Sequence, residues 1–532
     1  MARSFVFPRP RVTGLLGRSL DTGEVTTAGA FVAFGVLWAV IAPGIVLKVG
    51  GAILVSAAGV ALVALPWRNR TPYRWLEVMR TYRALERNGT TQWRNPAPER
   101  GFRVLVDPAT GQHTSVPVGA EPPPGLTNGK GGGVGFGGDR SGLSWLTAPT
   151  DRGDIALVYD RARRVVTAAV EIEAEQAMGM LDTPDQEAVI NDYETMLAGV
   201  ANSLGKIKRL ATITRCVPGD PFAHQRYLAG ARIPPAERGT LPPWLFESYD
   251  MLTGKITPDS MDQRTWCVAS IPVDMKLAAD AKRYGSMEYG LGKVIGKEID
   301  DLILKLDEAK MRVVRPLDEE RLAAVIYTTY QPDRLVDDSH GLTRATSWPA
   351  RVDPTNPKWL RTLGWGDGLP RLHATAWWMS LPQVPAGVNF LSAILLGGAD
   401  YVTTTAVVME MIPTERAMGQ MLETMTMQAS KTMRGTAGGR VADPRERMAA
   451  ERMESAAEDV ATNAAGVRLS GWTTVSVVDY GNEEEAERDI LNARTAAERQ
   501  AALSQIRLEW CDYEHQRAIT NVLPFARGLR LD

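Results

Sequence analysis

Cysteine and histidine are scarce in this sequence, with 3 cysteines and 5 histidines among 532 residues. The cysteines, Cys216, Cys267 and Cys511, are odd in number and far apart, which argues against a secreted disulfide framework and against a closely spaced metal-binding pair. Such usage is typical of a reducing compartment such as the cytoplasm. The histidines stand alone, without HExxH or any other paired-ligand spacing, so the sequence indicates no hydrolytic metal site.

Motifs for nucleotide and nucleophile chemistry are also weak. No GxxxxGK[ST] phosphate-binding loop occurs, and the run Leu302–Glu308, which resembles a Walker B strand, sits in a helical apolar period. Ala201–Gly205 approaches a nucleophile elbow, but a predicted helix leads into Ser203 where that motif needs a strand. We therefore predict no catalytic, cofactor-binding or metal-binding residue, no cofactor and no enzymatic activity.

Long apolar runs are present near the N-terminus. Thr26–Ala42 carries no charge over 17 residues, and Ile45–Leu65 carries only Lys48 over 21. Each run fits the roughly 17 to 25 residues that a helix needs to cross a bilayer. Pro43 and Gly44 lie between them and favour a tight reversal. The sequence therefore predicts a transmembrane hairpin within residues 1–70.

Basic residues flank this hairpin on both sides. Since cationic flanks stay on the cytoplasmic side, we expect both termini and the soluble part to lie in the cytoplasm, below the inner membrane. A cleaved signal peptide is disfavoured, because no small-residue cleavage site separates the two runs. The overall charge of −2 gives no reason to predict nucleic-acid binding. The flanking arginines are Arg3, Arg9, Arg11 and Arg18 before the hairpin and Arg68, Arg70, Arg74, Arg80, Arg83 and Arg87 after it.

Residues 71–150 are predicted to form a juxtamembrane helix followed by a linker. Tyr73–Arg87 has apolar residues at helical spacing, which fits either an interfacial helix under anionic headgroups or a helix packed on the soluble part. The Gly- and Pro-rich remainder predicts a linker with one hairpin within Phe102–Val116. Gly133, Gly135 and Gly138 match GxGxxG, but no strand leads in and no helix leads out, so the linker interpretation is favoured over phosphate binding.

Beyond Trp145, strands and helices alternate, and the pattern runs twice at an offset of roughly 200 residues. This predicts a first α+β repeat over 151–340 and a second over 341–532, each with ferredoxin-like β-α-β packing. The first repeat has predicted strands at Val165–Glu173, Lys206–Val217, Thr265–Met275 and Met311–Arg315 and helices at Pro184–Ser203, Gly290–Ala309 and Asp318–Tyr330. The second has predicted strands at Leu372–Ser380, Tyr401–Ile412, Thr473–Tyr480 and Ile506–Tyr513 and helices at Val388–Leu396, Thr414–Asn463 and Glu483–Ser504.

Two of these helices carry further signals. Asn482 is a good N-cap for a helix whose first turn is acidic, which suits the helix dipole better than it suits a metal. The long region Thr414–Asn463 is broken by glycines and by the Ala442–Pro444 turn, so it predicts a projecting helical hairpin. Its clustered methionines fit either a partner-docking surface or ordinary core packing.

This layout resembles a membrane-hairpin subunit joined to the N-terminal, non-motor domain of the conjugal-transfer ATPase family, the CagE, TrbE and VirB group of type IV secretion. It is most similar to actinobacterial proteins that carry this arrangement without a motor. The segments that carry the resemblance are Thr26–Leu65, His373–Met418 and Ile519–Gly528. The resemblance implies a non-enzymatic, homo-oligomeric inner-membrane scaffold that links a separate hexameric ATPase to the membrane channel and other secretion subunits.

Two other functions fit the same layout. A membrane-anchored core component of type VII secretion also places two N-terminal spans before an α/β soluble domain. A membrane enzyme acting on nucleotides or lipids is the second alternative, and it would use the glycine run that contains Gly133 and Gly135.

Overall fold

The computed structural model describes residues 22–65, 71–87, 143–174, 181–202, 206–218, 261–337, 346–364, 369–382, 390–398, 400–419 and 466–527. It also describes four short strands between 93 and 128 and isolated residues elsewhere. The statements that follow concern these residues. The candidate phosphate loop at Gly133, Gly135 and Gly138 and most of the predicted arm Thr414–Asn463 lie outside them.

The two N-terminal apolar runs form helices that pack on each other. Both are long and apolar enough to span a membrane. Gly44 makes the reversal between them with a φ of +80°, a conformation that glycine adopts without steric cost. Gly59 lets the helices approach, since a Cβ there would lie 2.3 Å from Cβ of Phe31. The predicted helical hairpin is confirmed.

Ten helices are bounded within the described residues, and four of them begin at polar caps. Asp274, Ser286, Asp318 and Asn482 each accept a backbone N–H from the first turn that follows. The helices are α1 (Thr22–Ile41), α2 (Ile45–Ala64), α3 (Pro72–Arg87), α4 (Thr183–Asn202), α5 (Met275–Lys282), α6 (Met287–Glu308), α7 (Glu319–Tyr330), α8 (Ser392–Leu396), α9 (Glu483–Leu503) and α10 (His515–Ala518).

The strands form one 13-stranded sheet and a separate three-stranded sheet, and all the observed pairings are antiparallel. The small sheet contains the predicted hairpin. The strands are β1 (Trp93–Arg94), β2 (Phe102–Val106), β3 (His113–Pro117), β4 (Thr127–Asn128), β5 (Leu143–Thr150), β6 (Gly153–Asp160), β7 (Val165–Ala174), β8 (Arg209–Pro218), β9 (Met261–Pro272), β10 (Met311–Pro316), β11 (Arg351–Asn356), β12 (Trp359–Leu363), β13 (Pro370–Ser380), β14 (Val402–Ile412), β15 (Gly466–Val478) and β16 (Arg507–Trp510).

The large sheet contains the same strand order twice. In the first half the order is β10-β7-β9-β8, and in the second half it is β16-β13-β15-β14. The halves join where β8 pairs with β14, from Cys216 opposite Thr403 to Arg209 opposite Glu410. The strands predicted for the two repeats are therefore present, but they belong to one continuous sheet.

Several boundaries and elements differ from the sequence prediction. The helix predicted at Val388–Leu396 begins only at Ser392, and the strand predicted at Ile506–Tyr513 ends at Trp510. The hairpins β5–β6 and β11–β12 were not predicted, because prolines and charged residues interrupt their apolar alternation. The hairpin β5–β6 also crosses the predicted boundary at residue 150.

Helices cover both faces of the large sheet. On one face α4, α5 and α6 pack over the first half, and α8 and α9 pack over the second. On the other face a single apolar core runs across both halves, covered by α7 and by the segment that follows α10 as far as Ala526. Because this core includes Ile213 of the first half and Trp472 of the second, the two halves form one packed body.

Candidate functional site

The Walker B-like run and the elbow-like run, both at least partly within the described residues, lie on two different helices. The run Leu302–Glu308 lies inside α6, so the helical interpretation is confirmed and a Walker B strand there is excluded. The region Ala201–Gly205 begins as the end of α4, where Asn202 Oδ1 accepts hydrogen bonds of 2.9 Å from both N and Oγ1 of Thr414. In the described part of the chain no group of three or more His, Cys, Asp or Glu could hold a metal ion.

The first notable site is the junction between the apolar hairpin and α3. Glu24, at the start of α1, is fully buried, and its carboxylate lies 3.4 Å from Oγ1 of Thr71 and 3.4 Å from Nε of Arg74. A buried carboxylate needs such partners, because its desolvation is otherwise unfavourable. The contact therefore fixes the start of α3 against the base of the hairpin.

A neighbouring side of α3 joins it to the body that contains the large sheet. The rings of Trp75 and Tyr82 meet Tyr513 edge to face, with centroid distances of 6.2 and 5.3 Å. Tyr513 is held in place by a 2.7 Å hydrogen bond from its N–H to the carbonyl of Pro357. Burial, and then the charge of Glu86, raises the pKa of Tyr82. Of the two alternatives for α3, packing on the body is observed for this face.

The second site is a pocket on the first half of the sheet, here called the arginine pocket. Its floor is formed by Arg215 and Val217 of β8 and by Asp262, Arg264 and Trp266 of β9, and its rim by residues 334–336. These floor residues share one face because they alternate along paired strands, with Arg215 directly opposite Arg264. The pocket holds about 190 Å³ of space, part of it open to solvent.

Arg264 is the centre of an ion-pair network beside this pocket. Its Nη1 lies 3.0 Å from Oε1 of Glu171, its Nε lies 3.3 Å from Oδ2 of Asp262, and its Nη2 contacts Asp337. Arg321 contacts Asp337 and lies 3.7 Å from Oε2 of Glu171. Arg264 is therefore surrounded by carboxylates.

Arg215 is bound differently, although it lies directly across from Arg264. Its Nη2 donates to the carbonyls of Pro332 at 3.1 Å and Arg334 at 3.3 Å, and the residue is only 3% exposed. Its Nε and Nη1 have no hydrogen-bond acceptor among the described residues, and neither does Nε1 of Trp266 in the same pocket. Burial lowers the pKa of Arg215 to about 10, so the guanidinium stays charged at neutral pH.

A third polar group lies inside the sheet and is closed to solvent. His373 bonds through Nδ1 to Oγ of Ser476 at 2.8 Å and through Nε2 to Oγ1 of Thr362 at 2.9 Å. Burial, then the charge of Arg371, lowers the pKa of His373 to about 3, so the ring is neutral. This serine–histidine contact is completely buried, so it stabilises the core and does not form an accessible nucleophile.

Sequence reasoning did not identify the arginine pocket. The available signal was an arginine inside the otherwise apolar run of β8, at a position that faces inward. Comparison with known protein families and with curated proteins finds no match to this sequence. The functional argument therefore depends on the junction at α3 and on the arginine pocket.

Proposed function

We propose that this chain is a non-enzymatic scaffold of a type IV secretion or conjugation apparatus, anchored in the inner membrane by α1 and α2. In this proposal both termini and the body lie in the cytoplasm, and the body links a separate hexameric ATPase to the membrane channel. The chain would act as a homo-oligomer. The resemblance of the sequence to the non-motor part of conjugal-transfer ATPases supports the apparatus, and the hairpin supports the anchor.

The observation that carries the proposal is the double attachment of α3. One side of its start is fixed to the hairpin by Glu24 and Arg74, and another side is fixed to the body by Trp75 and Tyr82 against Tyr513. A helix fixed at both places keeps the body in a defined position relative to the membrane anchor, as a structural link requires. A flexible tether would need no such contacts.

We further propose that the two halves are tandem copies of a ferredoxin-like β-α-β-β-α-β unit. The repeated strand order supports this, since the fourth, first, third and second strands of each unit are adjacent in that sequence. A helix follows the first strand and the third strand in both halves. Such a duplication supplies two similar surfaces for partners in one rigid body.

The experiment is affinity purification of the tagged full-length chain from its native membrane in mild detergent. We expect a secretion ATPase and channel subunits to co-purify. Replacing Trp75 and Tyr82 together by alanine should leave the chain in the membrane fraction but reduce recovery of these partners. Leu76→Ala, on an exposed face of α3, is the matched control and should change nothing. Complexes that contain the chain without any secretion ATPase or channel subunit would refute the proposal.

The predicted docking arm allows a second test. Ile412 and Gly466 are paired across β14 and β15, so the ends of the intervening segment are already adjacent. Replacing residues 420–464 by a loop of about six glycine and serine residues should therefore leave the body folded. Loss of ATPase recovery in a folded variant would identify this segment as the docking element, whereas unchanged recovery would assign docking to another surface.

A further inference from the structure

The arginine pocket contains more hydrogen-bond donors than the described protein can satisfy. A guanidinium has five N–H groups, and Arg215 uses the two on Nη2 for backbone carbonyls. The three on Nε and Nη1, and the indole N–H of Trp266, remain without an acceptor. Leaving buried donors unpaired is costly, especially on a charged group. These donors therefore require an acceptor that is bound in the pocket.

The charged residues around the pocket indicate that the acceptor is negatively charged. The carboxylates around the pocket are already engaged by other arginines. Arg264 contacts three of them, and Arg371 holds the fourth through two hydrogen bonds of 3.0 and 2.9 Å. Arg215 makes no direct ion pair with any of them. The charges of Asp262 and Asp333 act on it from a distance and are shared with Arg264 and Arg371, while Arg264 lies directly opposite it across the strand pair. The four carboxylates are Glu171, Asp262, Asp333 and Asp337.

We propose that the arginine pocket is a binding site for a small oxyanion, a carboxylate or a phosphate group, held by Arg215 and Trp266. The free nitrogens are covered from solvent, so an entering anion displaces a rim side chain. Leu335 of the rim is 39% exposed, so its side chain has room to move aside. The enclosed space is small, which excludes a nucleotide and requires the rim to open even for a single anionic group.

The test is isothermal titration of the detergent-solubilised full-length chain with sodium phosphate and, separately, with sodium acetate at constant ionic strength. We expect saturable binding of at least one anion, and the tighter of the two identifies the chemistry. Arg215→Met should weaken binding on the order of tenfold to hundredfold, since it removes charged hydrogen bonds. Arg209→Met, on the same face of β8 but outside the pocket, should leave binding within about twofold of wild type.

Tryptophan fluorescence and near-ultraviolet circular dichroism check that each variant is folded. If Arg215→Met does not fold, Trp266→Phe takes its place, because it keeps the ring and removes only the indole donor, and it should weaken binding severalfold. The proposal is overturned if wild type binds neither anion, which would mean that water alone satisfies these donors, or if a folded pocket variant binds as tightly as wild type. The membrane-scaffold proposal is independent of either result.

Discussion

Replacing His373 by glutamine should remove part of the acid sensitivity of the folded protein. The folded-state pKa of His373 is lowered from 6.5 to about 3, because burial and the neighbouring Arg371 disfavour the imidazolium. Between these values the unfolded chain binds a proton that the folded chain does not. Stability is therefore constant above pH 6.5 and is lost as the pH falls toward 3. The loss attributable to this ring is about 1.4 kcal/mol at pH 5.5 and about 2.7 kcal/mol at pH 4.5.

The assay is urea unfolding of the full-length chain in detergent at pH 4.5, 5.5, 6.5 and 7.5, followed by the fluorescence of buried tryptophans such as Trp266 and Trp472. His515 and Asp512, whose pKa values are also lowered, contribute acid sensitivity of the same sign in both proteins. The decisive quantity is thus the difference in pH dependence between wild type and His373→Gln, and not the absolute stability of the variant. Identical pH dependence in the two proteins would refute the argument.

Four substitutions test the packing, and each is followed by urea unfolding at pH 7.5. Gly290→Ala should destabilise by about 1–3 kcal/mol, because its Cβ would meet the carbonyl of Ala281, whereas Gly199→Ala, which meets only a flexible lysine, should stabilise by up to about 1 kcal/mol. Asn482→Ala should cost about 1 kcal/mol through loss of the α9 cap. Asp333→Asn should cost about 3–5 kcal/mol, since it leaves the buried Arg371 without its carboxylate. Equal effects of the two glycine substitutions, or unchanged unfolding in the other two variants, would contradict these assignments.

Many elements of the fold could be predicted from the sequence because they depend on local signals. The helix α9 begins where Asn482 caps it, and β14 has the same bounds as its β-branched run within one residue. The spacing of the glycines, by contrast, did not indicate which of them the packing requires. Gly290 is required because α6 approaches α5 closely, and Gly296 because α6 approaches β5 closely. Such contacts between elements cannot be predicted from the periodicity of a single element.

Strand pairing and the arginine pocket could not be predicted for a related reason. Arg215 lines the pocket because the register of β8 and β9 places it opposite Arg264. Arg264 lies 49 positions further along the chain. The seam between β8 and β14 joins residues almost 200 positions apart. Both follow from the order of strands in the sheet, which alternation of apolar residues leaves undetermined.

The seam between the halves also determines where the long connections leave the body. The strands β8 and β14 are antiparallel neighbours, so the end of β8 at Pro218 and the end of β14 at Ile412 lie at opposite ends of the seam. The eight paired positions between them alone span roughly 25 Å. Each strand is followed by a connection longer than 40 residues before the sheet resumes at Met261 or Gly466. The two long connections therefore begin at opposite ends of the seam, which is a consequence of antiparallel pairing that no local sequence signal reports.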